Sequence, residues 1–321
     1  MADRKLKIKS IYIKDIRPGD KILDSFLVAE KNLAFSQKGS PYLNLRLKDR
    51  TGEVEGKIWE NADEWDKQFK KGDVIQVQSR AVSFKNTLQL SIHDIEKLDE
   101  PDINPADFFP TAGRDIEEMF TELMSYVGEM ETPYLKSLLE SFFKDEAIAM
   151  LFKKAPAAKT FHHVYIGGLL EHTLSVVQLL EQVADHYNGI DRDMLITGGL
   201  LHDIGKIYEF SYDRIIDYSD QGRLVGHIVI GVEMLDKKIA TINDFPEHAA
   251  MELRHLLLSH HGTQEFGSPK RPKTLEALIV HYIDDLDAKV NAFQGYIDES
   301  PDDDSKWTPF HRLFERFIYK G

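Results

Sequence analysis

Histidine and carboxylate side chains stand at five places in the second half of the chain. They are Glu171-His172, His202-Asp203 within LLHDIGK, His227 after Gly226, His260-His261 before Gly262, and Asp284 within HYIDDLDAK. Imidazole and carboxylate donors without sulfur suit Mn²⁺, Fe²⁺, Co²⁺, Ni²⁺ or Zn²⁺, and the number of histidines makes Mg²⁺ a poorer match. Successive helix residues are only about 100° apart, so His202 and Asp203 can reach one ion together. Lys206 follows within a turn, and Gly205 is expected to let the backbone turn between them. Gly262 reads as the C-terminal stop of the helix that carries His260-His261. The chain has no cysteine, which excludes a thiolate nucleophile, a disulfide framework and Cys-ligated zinc or iron–sulfur centres.

A second group of residues lies in the first 98 positions. Short β-rich runs with period-2 alternation predict strands over Ile8–Ile13, Lys21–Asn32, Tyr42–Leu47, Val54–Trp59, Val74–Phe84 and Thr87–Glu96, with a short helix over Asn61–Phe69. That plan is an OB-fold β-barrel. Leu43, Leu45 and Leu47 should fill the barrel with Val54, Gly56 and Ile58. Tyr42, Arg46, Lys57 and Trp59 then point outward, and the preceding loop over residues 35–41 could add one more ring, Phe35, and one more cation, Lys38. Rings beside cations are what a single strand needs for stacking and phosphate contact. The simpler reading has Trp59 closing the barrel bottom and Lys57 merely solvated.

Residues 99–113, DEPDINPADFFPTAG, hold three prolines and four acids and read as a linker in which Phe108-Phe109 docks on a domain surface. From Arg114 the helical period dominates, with helices expected over Ile116–Met130, Pro133–Lys144, Glu146–Phe152, Val164–Tyr187, Arg192–His202, His227–Ile242, Glu247–His261, Thr274–Phe293 and Pro309–Phe317. The organisation is thus a barrel domain over 1–98, a linker over 99–113 and an all-α domain over 114–321. The net charge of −14 hides an asymmetry: residues 1–98 carry 19 Lys+Arg against 15 Asp+Glu, the rest 21 against 39. A mildly basic barrel and an acidic, histidine-rich helical domain suggest two tasks. No run approaches the ~18 apolar residues of a membrane span, and MADRKLKIKS lacks the apolar core of a secretory signal. The reading is a soluble, cytoplasmic protein with no membrane partner; nothing in the pattern sets an oligomeric state.

The ordered pattern His172, His202-Asp203, His227, His260 and Asp284 resembles the HD-domain metal-dependent phosphohydrolases. The resemblance implies an all-α bundle with the ligands converging inside. It implies that His172, His202, Asp203 and Asp284 hold one metal and that His227 and His260, with His261, hold a second bridged by Asp203. Lys206 would touch a phosphate oxygen. Asp285 lies one position on and could replace Asp284; matching DDLDA to the D-x-L-D-A ending common in HD domains selects Asp284. His162 and His163 precede a helix and could line the cleft mouth, whereas His186, His248, His255, His281 and His311 read as ordinary helical histidines.

A barrel joined to such a domain, with HHVYIGGLLEHTLSVV and LLHDIGKIYEF, looks like the YhaM-type 3′→5′ exoribonucleases. That resemblance implies single-stranded RNA as substrate, single-stranded DNA as a possible second one, and two divalent ions, Mn²⁺ first among them. Asp203 and Lys206 would be the catalytic pair. Two other functions compete. His260-His261 is similar to the double histidine of cyclic-dinucleotide phosphodiesterases, but GTQEFGSP follows it without their G-Y-P tripeptide. A non-enzymatic single-strand-binding protein with a relict metal site is opposed by the intact ligand set and Lys206.

Overall fold

The computed structural model describes residues 9–36, 39–85, 87–99, 103–104, 107–108, 113–158, 165–211, 217–298, 300, 305–312 and 314–321. The chain forms two compact units, Met1–Thr111 with Asp213–Ile215, and Ala112–Tyr212 with Ile216–Gly321.

The first unit is a closed barrel of strand order β1-β2-β3-β5-β4, built from β1 (Lys21–Phe35), β2 (Pro41–Asp49), β3 (Gly52–Ile58), β4 (Val74–Phe84) and β5 (Thr87–Lys97). A single-turn helix, α1 (Ala62–Trp65), joins β3 to β4. The long β1 pairs with β4 through its first half and with β2 through its second, and a register shift between Val28 and Glu30 lets it bend around the barrel. Parallel pairing of β3 with β5 closes the circle. Alternation is respected: Phe26, Leu43, Leu45, Leu47, Val54, Ile58, Ile75, Val77 and Leu90 are buried inside.

Among the described residues the expected first strand is absent. Ile8 lies outside the described residues, and Ile13–Asp15 is a 3₁₀ turn. The physical reason is in the side chains. The N–H groups of Ser10 and Ile11 donate to the Asp24 carboxylate at 2.7 and 2.8 Å, and that of Ile13 to Asp49 at 2.8 Å. Carboxylates take the donors that a ladder would have used. Part of the expected linker belongs with the barrel too: Phe108 is buried, and Arg50 N–H donates to the Asp107 carbonyl at 3.0 Å. Phe109 lies outside the described residues.

The second unit is helical: α2 (Ile116–Gly128), α3 (Pro133–Phe143), α4 (Glu146–Lys154), α5 (Gly168–His186), α6 (Arg192–Leu201), α7 (Lys206–Glu209), a small β6–β7 ribbon (Phe210–Ser211 and Asp217–Tyr218), α8 (Asp220–Leu224), α9 (His227–Ile239), α10 (Glu247–Ser259) and α11 (Leu275–Asp298). Their apolar faces meet in one core that includes Phe142, Phe152, Leu174, Leu200 and Leu257. The expected helix over Pro309–Phe317 is instead a ribbon, bridged Trp307 to Tyr319 and His311 to Arg316. Phe310, Phe314 and Phe317 mimic a helical spacing, but Glu315 adopts a positive φ of 53° and turns the chain back. Thr308 and Ile318 are buried on the ribbon's inner side. Among the described residues no helix is long and apolar enough to cross a membrane.

Candidate metal centre and strand-binding face

Six helix ends and faces deliver the histidines and acids to one place. His172 lies in the second turn of α5, His202-Asp203 close α6, Lys206 opens α7, His227 opens α9, His260-His261 follow α10, and Asp284 and Asp287 lie on α11. Asp203 is central, with each carboxylate oxygen facing a different group. Its Oδ2 is 3.3 Å from His202 Nε2 and 3.7 Å from His172 Nε2. Its Oδ1 is 3.5 Å from His227 Nε2 and 3.6 Å from His260 Nε2. Asp284 joins the first group, 3.1 Å from His172 Nε2 and 3.7 Å from His202 Nε2. The His261 ring joins the second, 4.2 Å from His260 and 5.1 Å from His227. Asp285 points elsewhere and pairs with Lys289 at 2.7 Å.

The imidazoles are oriented from behind. Nδ1–H of His172 donates to Asp287 at 2.7 Å, that of His202 to the Gly199 carbonyl at 2.8 Å, that of His227 to Glu209 at 2.9 Å and that of His260 to the Leu257 carbonyl at 2.8 Å. Each bond fixes a tautomer and turns Nε2 inward. Asp287 is held in turn by the Ser175 hydroxyl.

The donor set fits divalent cations. Asp203 Oδ1, His227 Nε2 and His260 Nε2 are buried and meet no hydrogen-bond partner, although buried polar atoms are normally satisfied. Three converging lone-pair atoms leave a place for positive charge, and two overlapping groups can hold an ion: His172, His202 and Asp203, and Asp203, His227, His260 and His261. Burial, with His260 and His227 adjacent, pushes His261 down to about 3, and burial also lowers His260, so both are neutral donors at pH 7. Burial would lower His202 as well, but Asp203 and Asp284 outweigh it and raise that imidazole to about 9. Against its own burial, Asp203 is held well below the usual carboxylate range by Lys206 and His202. The Lys206 Nζ lies 2.5 Å from Asp203 Oδ2.

The chain turns over residues 202–205 between α6 and α7 as expected, but Gly205 needs no left-handed conformation to make the turn. Its backbone is helical at φ −65°, and its value lies in close approach to the first turn of α9. Gly262, at φ +78°, does stop the helix. His162 and His163 lie outside the described residues.

On the barrel, strand parity places the outward residues as expected. Tyr42 and Trp59 stack on each other with ring centroids 4.7 Å apart and planes 24° apart, and Lys57 Nζ lies 5.6 and 6.0 Å from the two rings. Trp59 is 54% exposed, so it does not close the barrel bottom. Phe35 is exposed at the end of β1. Arg46 lies between two acids, 3.4 Å from Glu30 and 3.8 Å from Glu53. Lys38 lies outside the described residues.

Two family models match these units: the HD domain over residues 169–289 and the OB-fold nucleic acid binding domain over residues 27–98. The chain is 33% identical over 284 residues to the 3′-5′ exoribonuclease YhaM of Bacillus subtilis (strain 168), covering 88% of this chain and 89% of that protein. It is likewise 33% identical to the YhaM proteins of Bacillus velezensis and Geobacillus sp. (strain WCH70), over 88% and 85% of this chain and 88% and 84% of theirs. The chain belongs to the YhaM 3′-5′ exoribonuclease family.

Within this YhaM-family chain, three groups that the sequence did not assign to the centre position its ligands. Asp287 carried a usable signal, since it lies three residues after Asp284 on one helix and so shares its face. Glu209 carried none, because it meets His227 only through tertiary packing; its carboxylate also accepts from the His227 backbone N–H at 2.9 Å. His281, read as an ordinary helical histidine, donates from Nδ1 to the His260 carbonyl at 2.8 Å and so steadies the end of α10.

Proposed function

We propose that this chain is a metal-dependent exonuclease that removes nucleotides from the 3′ end of single-stranded RNA, with the barrel holding the strand. The carrying observation is the Asp203 carboxylate, whose two oxygens each face a separate histidine group inside an HD domain. The near full-length likeness to 3′-5′ exoribonucleases supports the direction and the substrate.

In this reading His172, His202, Asp203 and Asp284 hold one divalent cation, and His227, His260 and His261 hold a second, with Asp203 common to both. The donor set favours Mn²⁺, with Fe²⁺, Co²⁺, Ni²⁺ or Zn²⁺ as alternatives. Cations held there supply Lewis-acid charge for phosphodiester hydrolysis. The protein's own share is orientation: Asp287, Glu209 and two backbone carbonyls fix the imidazoles, and Lys206 holds Asp203 while placing a cation where phosphate charge develops. Phe35, Tyr42, Arg46, Lys57 and Trp59 form the strand-binding face, with Lys38 a further cation expected from the sequence; the paired rings stack on bases and the cations contact phosphate. Single-stranded DNA is a second possible substrate, because stacking and phosphate contacts do not read the 2′-hydroxyl.

The test is release of mononucleotides from a 5′-labelled single-stranded RNA, with Mn²⁺ and with chelator. Stepwise shortening from the 3′ end only with metal supports the reading. Metal-independent shortening, or strand binding with no cleavage in any of the five metals, overturns it.

A further inference from the structure

The helix that presents Asp284 and Asp287 to the centre has an unusual opposite face. Leu275, Leu278, Tyr282, Leu286 and Val290 recur every three or four residues along α11, and all five are exposed, from 42% for Leu278 to 61% for Tyr282. At about 100° per residue they form one stripe, with Asp284 on the far side of the helix. Scattered surface leucines are ordinary; a continuous row of five is not.

The apolar surface has a second part anchored on the same helix. Phe293 of α11 packs on Phe314 at 5.1 Å and Tyr296 on His311 at 4.3 Å, which ties the terminal ribbon to the end of α11. The ribbon buries Thr308 and Ile318 inward and leaves Trp307, Phe310, Phe317 and Tyr319 each about half exposed. At about 200 Å² for a large side chain, these nine half-exposed groups amount to roughly 900 Å². That exceeds the ~300–600 Å² of the largest patch on a typical monomer and matches the ~800 Å² that each partner contributes to a standard interface.

We propose that α11 and the terminal ribbon form a self-association surface that pairs two copies of this chain. One surface that is both large and apolar suits an isologous contact, in which the same patch serves both partners. On α11 the charges beside the stripe, Asp285 and Lys289, are paired with each other at 2.7 Å, so an apolar partner face suits the stripe. Pairing would also brace the helix that carries Asp284 and Asp287.

Light scattering on the full-length chain at micromolar concentration should give twice the chain mass. Leu278→Asp combined with Leu286→Asp should give the single-chain mass with an unchanged circular dichroism spectrum, because both side chains are already half in water. A single-chain mass for the unaltered protein, or a doubled mass retained by the folded double variant, overturns the proposal. Should that variant not fold, the absence of native cysteine provides a second test. Leu278→Cys, Tyr282→Cys and Leu286→Cys are each oxidised beside Met251→Cys, a control at another exposed apolar position. Disulfide-linked dimers from the α11 variants but not from the control support the proposal; none from any α11 variant overturns it.

Discussion

Gly205 and His227 approach so closely that a Cβ on residue 205 would lie 2.0 Å from the His227 carbonyl oxygen and 2.7 Å from the Gly231 nitrogen. Both are backbone atoms, so α9 would have to move. Gly205→Ala should destabilise the helical unit by about 1–3 kcal/mol, the usual cost of overpacking. It should also displace His227 and lower the metal bound per chain. Thermal melting and metal analysis check the two effects; a variant with normal stability and full metal content would refute the close-approach role.

Among the described residues Asp203 is the one carboxylate shared by both histidine groups. Asp203→Ala should therefore abolish hydrolysis while leaving strand affinity nearly intact, because the outward rings lie in the other unit. Chelation should stop the reaction reversibly, and Mn²⁺ should restore it better than Ca²⁺, which prefers all-oxygen shells. Wild-type turnover in Asp203→Ala would dismiss the two-group site.

Asp287 never needs to touch a metal to matter. Its carboxylate accepts from His172 Nδ1–H at 2.7 Å and fixes the ring. Asp287→Asn should weaken metal binding by about 10–100-fold, the range for loss of such a support. Calorimetric titration with Mn²⁺ reads this directly, and strand binding should not change. An unaltered metal affinity would show that His172 is oriented by packing alone.

Lys206 is buried against Asp203, 2.5 Å away, and its ammonium stays protonated because Asp203 outweighs the burial that would lower it. Lys206→Ala should reduce turnover by about 100- to 1,000-fold, by analogy with removal of one transition-state donor. Metal content separates two causes. Retained metal with slow turnover places the effect on phosphate charge, whereas lost metal makes Lys206 a support for Asp203.

The barrel was legible because its information is local: the alternation of Leu43, Leu45 and Leu47 with Tyr42, Asn44 and Arg46 sets both faces of β2. The metal centre was legible through ordered motifs, since neighbouring ligands such as His202 and Asp203 share a helix end. What escaped depends on contacts between distant segments. Ser10 and Ile11 read as strand residues, but Asp24 captures their N–H groups from 13 and 14 residues away. Phe310, Phe314 and Phe317 mimic a helical period, yet Glu315 turns the segment into a ribbon. Glu209 gives no periodic signal because its partner, His227, is reached only through the β6–β7 excursion and α8.

The division of labour between barrel and helical unit gives the last prediction. Tyr42 and Trp59 already stack on each other, so a base adds to a formed platform, and each stacked base contributes about 1–3 kcal/mol. Lys57 lies beside both rings, whereas Arg46 is shared by Glu30 and Glu53 on a half-exposed surface. Tyr42→Ala should therefore weaken long-strand binding more than Arg46→Ala does. Lys57→Ala should flatten the salt dependence by a slope of about 0.7 for the one phosphate it neutralises on a single strand. The Tyr42→Ala/Arg46→Ala pair should degrade long single strands less processively but still hydrolyse a very short oligonucleotide, since Asp203 and Lys206 are untouched. Fluorescence anisotropy across a salt series and product ladders on long and short substrates check each part. Unchanged affinity for long strands would move recognition to the helical unit and leave the barrel's ring pair without a role in the strand.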